Sequence, residues 1–455
     1  MHLGMTMFTL SLIATPQGFL DNTTASYICY LLILSQHICK DVGWTKRGRD
    51  LNKKTDIIVV GGGPCGSYAA YTAAKHGTEV TVCEEHPEAG APRHCAGHLN
   101  ISSMKRLGIK IPQDVIENTI KGAVFFSPSG KQFVLRCRNP VTYVVNRELF
   151  DKHLAELAKQ AGAYYSYKSK VKSLLFDSGS VMGVALNGEE KLKANIVIDA
   201  EGCSSKLLKQ TGLKGLESSM IARGIQTEVD GFKGVDNDMV EVYLGRKAAP
   251  GFFAWIIPRK DGSAKVGLAT RTGNPQDYLR RFMKKHPVAS KKLKKSTSTY
   301  TSVHPIPMEG PLPRTVSGGF LAVGDAASQV KPTTGGGVVF GLTCAQIAGE
   351  VACEAVERQD FSETFLSRYQ SRWKQVAGFE LATMLRMRKM LDSLSDRRLD
   401  NVIDLCSRLG VDSVLEKAGD LDFQGRSLIS VAKYPGTLAV ISYFLFSWLT
   451  STTRQ

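Results

Sequence analysis

Asp56-Ile57-Ile58-Val59-Val60-Gly61-Gly62-Gly63-Pro64-Cys65-Gly66, with the residues that follow it to Glu84, decides the fold of this chain. Residues 57–60 are an unbroken β-branched run, the pattern of a parallel strand buried on both faces. Glycines at 61, 63 and 66 then fit G-x-G-x-x-G. An Ala-rich helix is predicted over 67–76, Gly77 ends it, and a second strand over 79–83 delivers Glu84 about twenty residues after the glycines. Gly61 makes the tight turn, Gly63 lets backbone approach a pyrophosphate, and Gly66 allows close helix–strand packing. The helix start offers N–H groups and a positive dipole end to phosphates. Glu84 then accepts hydrogen bonds from ribose hydroxyls. A glycine-rich loop by itself would mean little; strand, helix and terminal acid together read as a dinucleotide-binding βαβ unit.

The chain has 455 residues, room for two or three domains. Its 43% hydrophobic and 22% charged content is that of a globular protein and excludes a disordered one. The net charge of +16 implies an acidic partner surface. Basic residues concentrate at Arg280-Arg281, Lys284-Lys285, Lys291-Lys292 and Lys294-Lys295. No aromatic interleaving or nucleic-acid signature accompanies them, so a membrane surface is expected and nucleic acid is not. The ten cysteines form no C-x-x-C pair, which argues against a bound metal and a secreted disulfide framework and for a cytoplasmic location.

Residues 1–50 differ from the rest. Residues 1–20 are apolar without a basic start, and 27–38 are too few to span a bilayer. They read either as sequence upstream of a true start near Leu51 or as a membrane anchor. Beyond Glu84, 85–98 is a Pro/Gly-punctuated loop. Hairpins are predicted at 123–126 with 132–136 and at 170–176 with 180–186, a helix at 146–161, and a buried strand at 196–198. Alternation over 224–271 predicts an antiparallel sheet. A buried strand returns at 318–323, a long helix at 338–358, and the remainder is helical. The apolar tail 437–449 is short for a bilayer span and reads either as a buried terminal helix or as an interfacial anchor, towards which its aromatic residues tilt it. The expected fold class is α/β: a Rossmann-like domain of residues 51–205 and 315–360, an inserted antiparallel β domain of 206–314, and a helical region of 361–455.

A second glycine-rich segment, Gly324-Asp325-Ala326-Ala327 followed by Thr334-Gly335-Gly336-Gly337 and a helix, lies at the opposite end of the first domain. With the first, it resembles the glutathione-reductase and p-hydroxybenzoate-hydroxylase type of FAD flavoprotein, specifically the geranylgeranyl reductase family, from about Asp56 to the C-terminus. The resemblance implies FAD bound by Gly61, Gly63, Cys65, Gly66 and Glu84 at the adenosine end. Asp325 would hold the ribityl chain, and Gly337 and Val338 the pyrimidine edge of the flavin, where a helix dipole stabilises the anionic reduced ring. Arg147 matches the arginine lying along FAD, and Val171 the strand start beside adenine. Asp199-Ala200-Glu201-Gly202 resembles a D-A-D-G strand end, which a tight turn explains equally well.

Pro92-Arg93-His94-Cys95-Ala96-Gly97 resembles the family's P-x-x-C-x-G loop over the flavin, which places Cys95, Ala96 and Gly97 at the ring. Cys95 is the candidate for proton delivery, and two histidines and an arginine beside it would favour its thiolate. Phe252-Phe253-Ala254-Trp255-Ile256-Ile257-Pro258 resembles Y-x-W-x-F-P of the substrate domain and makes Trp255 a substrate-lining residue. The implied reaction saturates geranylgeranyl chains of an isoprenoid glycerophospholipid. No second dinucleotide turn is present, so electrons would come from reduced ferredoxin or transiently bound NAD(P)H, in a cytoplasmic, peripherally membrane-associated enzyme. An FAD monooxygenase or halogenase, or an electron-transfer flavoprotein, are the alternatives on the same fold.

Overall fold

The computed structural model describes residues 54–187, 190–418, 422 and 424–452; the expectations for residues 1–50 lie outside them. β1 (Thr55–Val60), helix α1 (Pro64–Ala74) and β2 (Val80–Cys83) form as the opening stretch predicts. β3 (His98–Asn100), the short α2 (Ile101–Arg106), β4 (Ile116–Ile120), the hairpin β5 (Gly122–Phe126) and β6 (Gln132–Arg136), and β7 (Thr142–Val145) follow. α3 (Arg147–Gln160) leads to β8 (Tyr164–Ser166), the hairpin β9 (Val171–Asp177) and β10 (Ser180–Leu186), and β11 (Lys191–Asp199). After α4 (Lys206–Gln210) come β12 (Ile221–Asp230), β13 (Met239–Tyr243), β14 (Ala254–Pro258) and β15 (Ala264–Thr270). The basic helices α5 (Pro275–Lys285) and α6 (Ala289–Leu293) precede β16 (Thr297–Pro307), β17 (Val316–Ser317), β18 (Phe320–Ala322) and α7 (Val338–Arg358). The chain ends in α8 (Glu363–Trp373), α9 (Phe379–Ser393), α10 (Asp396–Arg408), α11 (Val411–Ala418), α12 (Gln424–Val431) and α13 (Pro435–Thr452).

The first sheet runs β17-β18-β11-β1-β2-β8, with β1 parallel to both β11 and β2. Ile57, Ile58 and Val59 are all fully buried, which is why that strand is apolar throughout instead of alternating. α1 packs against α7 through small residues: Ala69, Ala70 and Ala73 meet Ala345, Ala348 and Ala352 in one core. A Cβ on Gly349 would lie 2.8 Å from the Ala69 carbonyl oxygen, so this glycine sets how closely the helices approach. The same core takes in Phe365, Tyr369 and Trp373 of α8. Tyr369 Oη donates to the Ala322 carbonyl at 2.8 Å, so α8 is built into the first domain although it lies in the segment expected to be a separate helical region.

The second sheet runs β16-β12-β15-β14-β13-β5-β6. It is antiparallel except that β13 runs parallel to β5, Met239 opposite Gly122 through Tyr243 opposite Phe126. The hairpin β5–β6, expected within residues 51–205, therefore belongs to this sheet. Its Phe126 ring stacks on Tyr243 at 4.7 Å, a contact across more than a hundred residues that local pattern does not reveal. Period-two alternation divides the sheet's faces. Ile225, Ile256, Val266 and Leu268 bury against Leu279 and Phe282 of α5. The intervening positions, Gln226, Glu228, Trp255, Lys265 and Gly267, take the other face, where Gln226, Glu228 and Lys265 line a cleft with the 93–95 loop.

Candidate functional site

β1, β11 and β18 are neighbours, and the turns after them carry Gly61, Gly202 and Gly324, so the two glycine segments meet at one edge. Ligands of open α/β sheets bind at this carboxyl end. Gly61 has φ +96°, and a Cβ there would lie 2.5 Å from the Ala200 carbonyl oxygen. A Cβ on Gly66 would lie 1.9 Å from the Gly61 oxygen, so β1 and α1 touch only because both residues are glycine. Gly63 has no atom within 4 Å of its Cβ position, which leaves the start of α1 open, with no acid in its first turn. Glu84 is 7% exposed at the end of β2 and accepts from the Gly62 N–H at 2.6 Å. Ser169 N donates to the Glu84 carbonyl at 2.8 Å, which brings the start of β9 at Val171 to the same end. These features fit the adenosine and pyrophosphate half of a dinucleotide. Asp199-Ala200-Glu201 proves to be turn chemistry: Asp199 Oδ1 accepts from Glu201 N at 3.0 Å, and Glu201 Oε1 accepts from Leu207 N at 2.7 Å.

Cys65 joins the two segments. Its sulfur lies 2.8 Å and 2.4 Å from the Cβ positions of Gly324 and Gly341, space that only glycine leaves free. Burial first, and the Asp325 charge second, push its thiol up, which makes it a packing residue and not a nucleophile. Asp325 stands beside Gly337, whose Cβ would lie 2.9 Å from Oδ1. Its Oδ2 accepts from Cys203 Sγ at 3.3 Å and lies 3.9 Å from His304 Nε2. Burial disfavours its charge, but His304, Cys203 and Arg147 outweigh that and hold the carboxyl below its usual range. Val338 begins α7; no side chain caps that helix and its first turn holds no acid. The loop before it is held from the C-terminal region. Lys331 Nζ pairs with Asp422 at 2.6 Å, Thr333 donates to Gln424 at 2.7 Å, and Asp422 also accepts from Ser103 Oγ at 2.6 Å.

The Cys95 loop lies against the second sheet, where Tyr300 Oη donates to the Arg93 carbonyl at 2.9 Å, and against β7 of a small third sheet, β3-β7-β4. Gly97 has φ +71°, and a Cβ on it would sit 2.2 Å from the Val145 carbonyl oxygen; its own carbonyl accepts from Val145 N at 2.8 Å. The charges expected around Cys95 are corrected here. His94 is driven neutral, its pKa lowered to about 3 chiefly by burial and then by His304, on which it stacks at 3.7 Å. His98 is hydrogen-bonded to Thr142 Oγ1 at 2.6 Å, and Arg93 lies over the Tyr300 ring at 4.4 Å. The cations that interact with Cys95 are instead Arg147 and Lys265. Arg147 binds Asp151 through two hydrogen bonds of 3.0 Å. Burial works against its charge, but Asp151 and then Cys95 keep its pKa above the ordinary value.

Lys265 is the residue the sequence did not offer. It is 3% exposed, pairs with Glu117 at 2.5 Å, and donates to the Ala96 and Val145 carbonyls at 3.1 Å each. Burial lowers its pKa against the opposing pull of Glu117. Arg259 bridges Glu117 and Glu228 at 3.3 and 3.2 Å. Lys265, Glu117 and Glu228 of this network line one cleft with Cys95 and Arg147. The sequence signal at Lys265 is a lysine two residues before Gly267 on a strand that is apolar from Val266 to Ala269.

Beside the polar cleft stands an apolar wall. Trp255 Nε1 donates to Gln226 at 3.2 Å, and its ring covers Gly267, where a Cβ would lie 2.5 Å from Cζ2. The ring bridges a cluster containing Ala96 to one containing Phe252, Phe253 and Ile306. Gly335 faces the same wall, its Cβ position 3.2 Å from Phe252 and 3.0 Å from Ile306. Trp255, the Cys95 loop and the loop before α7 are therefore brought together.

The family model described as FAD binding domain matches residues 54–378. The digeranylgeranylglycerophospholipid reductase of Methanocaldococcus jannaschii is 37% identical over 357 residues, 77% of this chain and 90% of that protein. The crystal structure of a geranylgeranyl bacteriochlorophyll reductase-like protein of Thermoplasma acidophilum superposes with a TM-score of 0.77 at 30% identity, over 86% of this chain and 99% of that one. A point mutant of the halogenase PltM in complex with FAD shares the fold, with a TM-score of 0.64 at 16% identity over 88% and 92% of the two chains. FAD is thus the dinucleotide of this site, and the chain belongs to the geranylgeranyl reductase family of FAD-dependent oxidoreductases.

Proposed function

We propose that the protein saturates the C=C bonds of geranylgeranyl chains on digeranylgeranyl glycerophospholipids in archaeal membrane lipid biosynthesis, peripherally attached to the cytoplasmic membrane face. The observation carrying this reading is the meeting of an apolar wall, Phe252–Trp255 with Ile306, with the Cys95 loop and the loop that leads into α7. Alkyl chains offer nothing to hydrogen-bond, so they bind by buried apolar area, roughly 25 cal/mol per Å². Reduced FAD, when bound, supplies the hydride.

Within this reading, Gly61, Gly63, Cys65, Gly66, Glu84 and Val171 hold the adenosine half of FAD. Arg147, Asp325, Gly337, Val338, Ala96 and Gly97 hold the flavin half. Reduction of one C=C bond takes a hydride at one carbon and a proton at the other. Cys95, or a water it orders, gives the proton, and the sulfur left behind faces the Arg147 and Lys265 cations. A proton from the cleft restores it. Electrons re-enter from reduced ferredoxin or NAD(P)H.

The test is to reduce the purified holoprotein with dithionite and add unsaturated archaeal phospholipid. The expected product gains two hydrogens per double bond by mass spectrometry. An unchanged lipid, with flavin reoxidised only by O₂, sinks the reading.

A further inference from the structure

The C-terminal helices carry an exposed apolar face. α13 has no charged residue along its 18 positions. Its inner side is fixed to α10: Arg398 donates to Thr450 Oγ1 at 2.8 Å, Asn401 donates to Tyr443 Oη at 2.8 Å, and Thr437 is 4% exposed. Leu438, Leu445 and Phe446, spaced i, i+7 and i+8 along the opposite side, are 51%, 42% and 63% exposed. α12 meets α13 at a 117° bend and adds Ile429, 65% exposed. Isolated exposed apolar residues are ordinary, but a stripe of them marks an interface. At such an angle the two helices make no single straight bilayer span, and α13 is held along α10; together they suit the plane of a bilayer surface.

Charge selects the occupant. The turn between β5 and β6 touches α10 on one side, Ser129 N donating to Asp400 at 2.9 Å and Lys131 pairing with Asp404 at 3.2 Å. On the other side the Gly130 Cβ position lies 3.2 Å from Val288, next to α6. Across this one turn from the helix beneath α13, α5, α6 and the turn after α6 expose Arg281, Lys284, Lys285, Lys291, Lys294 and Lys295. Apolar insertion beside a basic patch fits neither a neutral protein groove nor nucleic acid; it fits headgroups of anionic lipid over acyl chains.

We propose that α12 and α13, flanked by the basic face of α5 and α6, form the docking surface for an anionic lipid bilayer. The proposal rests on the lipid-reductase reading, to which it adds the surface that meets the substrate's bilayer. The test is co-sedimentation of the full-length holoprotein with phosphatidylcholine vesicles, with and without phosphatidylglycerol, beside turnover on detergent-dispersed lipid. Leu445→Glu with Phe446→Glu is expected to weaken vesicle binding by about tenfold or more. Flavin content, thermal midpoint and turnover in detergent stay unchanged. Lys284→Glu with Lys285→Glu removes only the phosphatidylglycerol-dependent part of the binding. Vesicle binding equal to the unmodified protein in the first variant overturns the proposal. So does a dimer that this variant dissociates without loss of vesicle binding, which assigns the face to a second copy. Vesicle binding that appears only when residues 1–50 are deleted assigns the face to that segment and also overturns it. Loss of detergent turnover in the unmodified protein, with vesicle binding intact, refutes the reductase reading and leaves the surface standing.

Discussion

Lys265→Met isolates what the buried ammonium does. It removes the 2.5 Å pair with Glu117 and the two 3.1 Å donations to the Ala96 and Val145 carbonyls. Breaking a buried ion pair from one side costs about 3–5 kcal/mol, because the other charge stays behind. Hydrogen bonds from a charged donor are worth about 1.5–3 kcal/mol each, but one ammonium makes all three contacts, so the terms overlap. Burial already lowers the lysine's pKa, so part of the attraction is consumed by desolvation. Arg259, 3.3 Å from Glu117, keeps a partner on the carboxylate. Both effects put the expected loss near the lower end, about 3 kcal/mol. Urea denaturation of the holoprotein, followed by flavin release, measures it. Glu117→Gln added to Lys265→Met is expected to recover about 1–2 kcal/mol, because it removes the carboxylate left buried. Turnover falls in the single variant, whose Cys95 loop has lost one of its ties to the second sheet and keeps the one from Tyr300. An unshifted urea midpoint with normal turnover refutes the assignment, as does a double variant less stable than the single one.

Gly66→Ala places a Cβ 1.9 Å from the Gly61 oxygen, so β1 and α1 must separate. The purified variant should lack yellow flavin, and a variant with full flavin content counts against the dinucleotide assignment. His94 gives a pH prediction. It stays neutral in the folded protein down to about 3, whereas the unfolded residue takes up a proton below 6.5. The stability it contributes is complete above pH 6.5 and lost as pH falls towards 3. Thermal melts between pH 7 and 4 should fall less steeply in His94→Gln than in the unmodified protein; parallel profiles would contradict the burial of that ring.

The sequence made the cofactor domain readable because its signals are local. Ile57–Val60, the three glycines and Glu84 lie within one βαβ unit, and each residue's type follows from a contact inside it. Asp325 and Gly337 were likewise legible, being twelve residues apart on one strand–loop–helix path. The charged half of the site was not. Glu117, Glu228 and Lys265 come from three strands and Arg259 from the turn after β14, and nothing in their own neighbourhoods says that they converge. Proximity in sequence misled at Cys95 for the same reason: the adjacent histidine is buried and neutral, while Arg147 and Lys265, which share its cleft, arrive from α3 and β15. The hairpin β5–β6 was found but set in the wrong sheet, because its partner β13 is more than a hundred residues away.

Lys331 and Asp422 bear on how this protein acquires its cofactor during synthesis. Lys331 opens the loop that leads into α7, and the carboxylate that neutralises it follows 91 residues later. Glu380 likewise waits for its partner, the Gly425 N–H, 45 residues on. Chains emerge and fold from the N-terminus. A nascent chain can therefore complete β1, α1 and the phosphate turn long before the flavin-side loop has the partner that holds it. The adenosine half of the site can form first, and the flavin half closes only once Asp422 has been made.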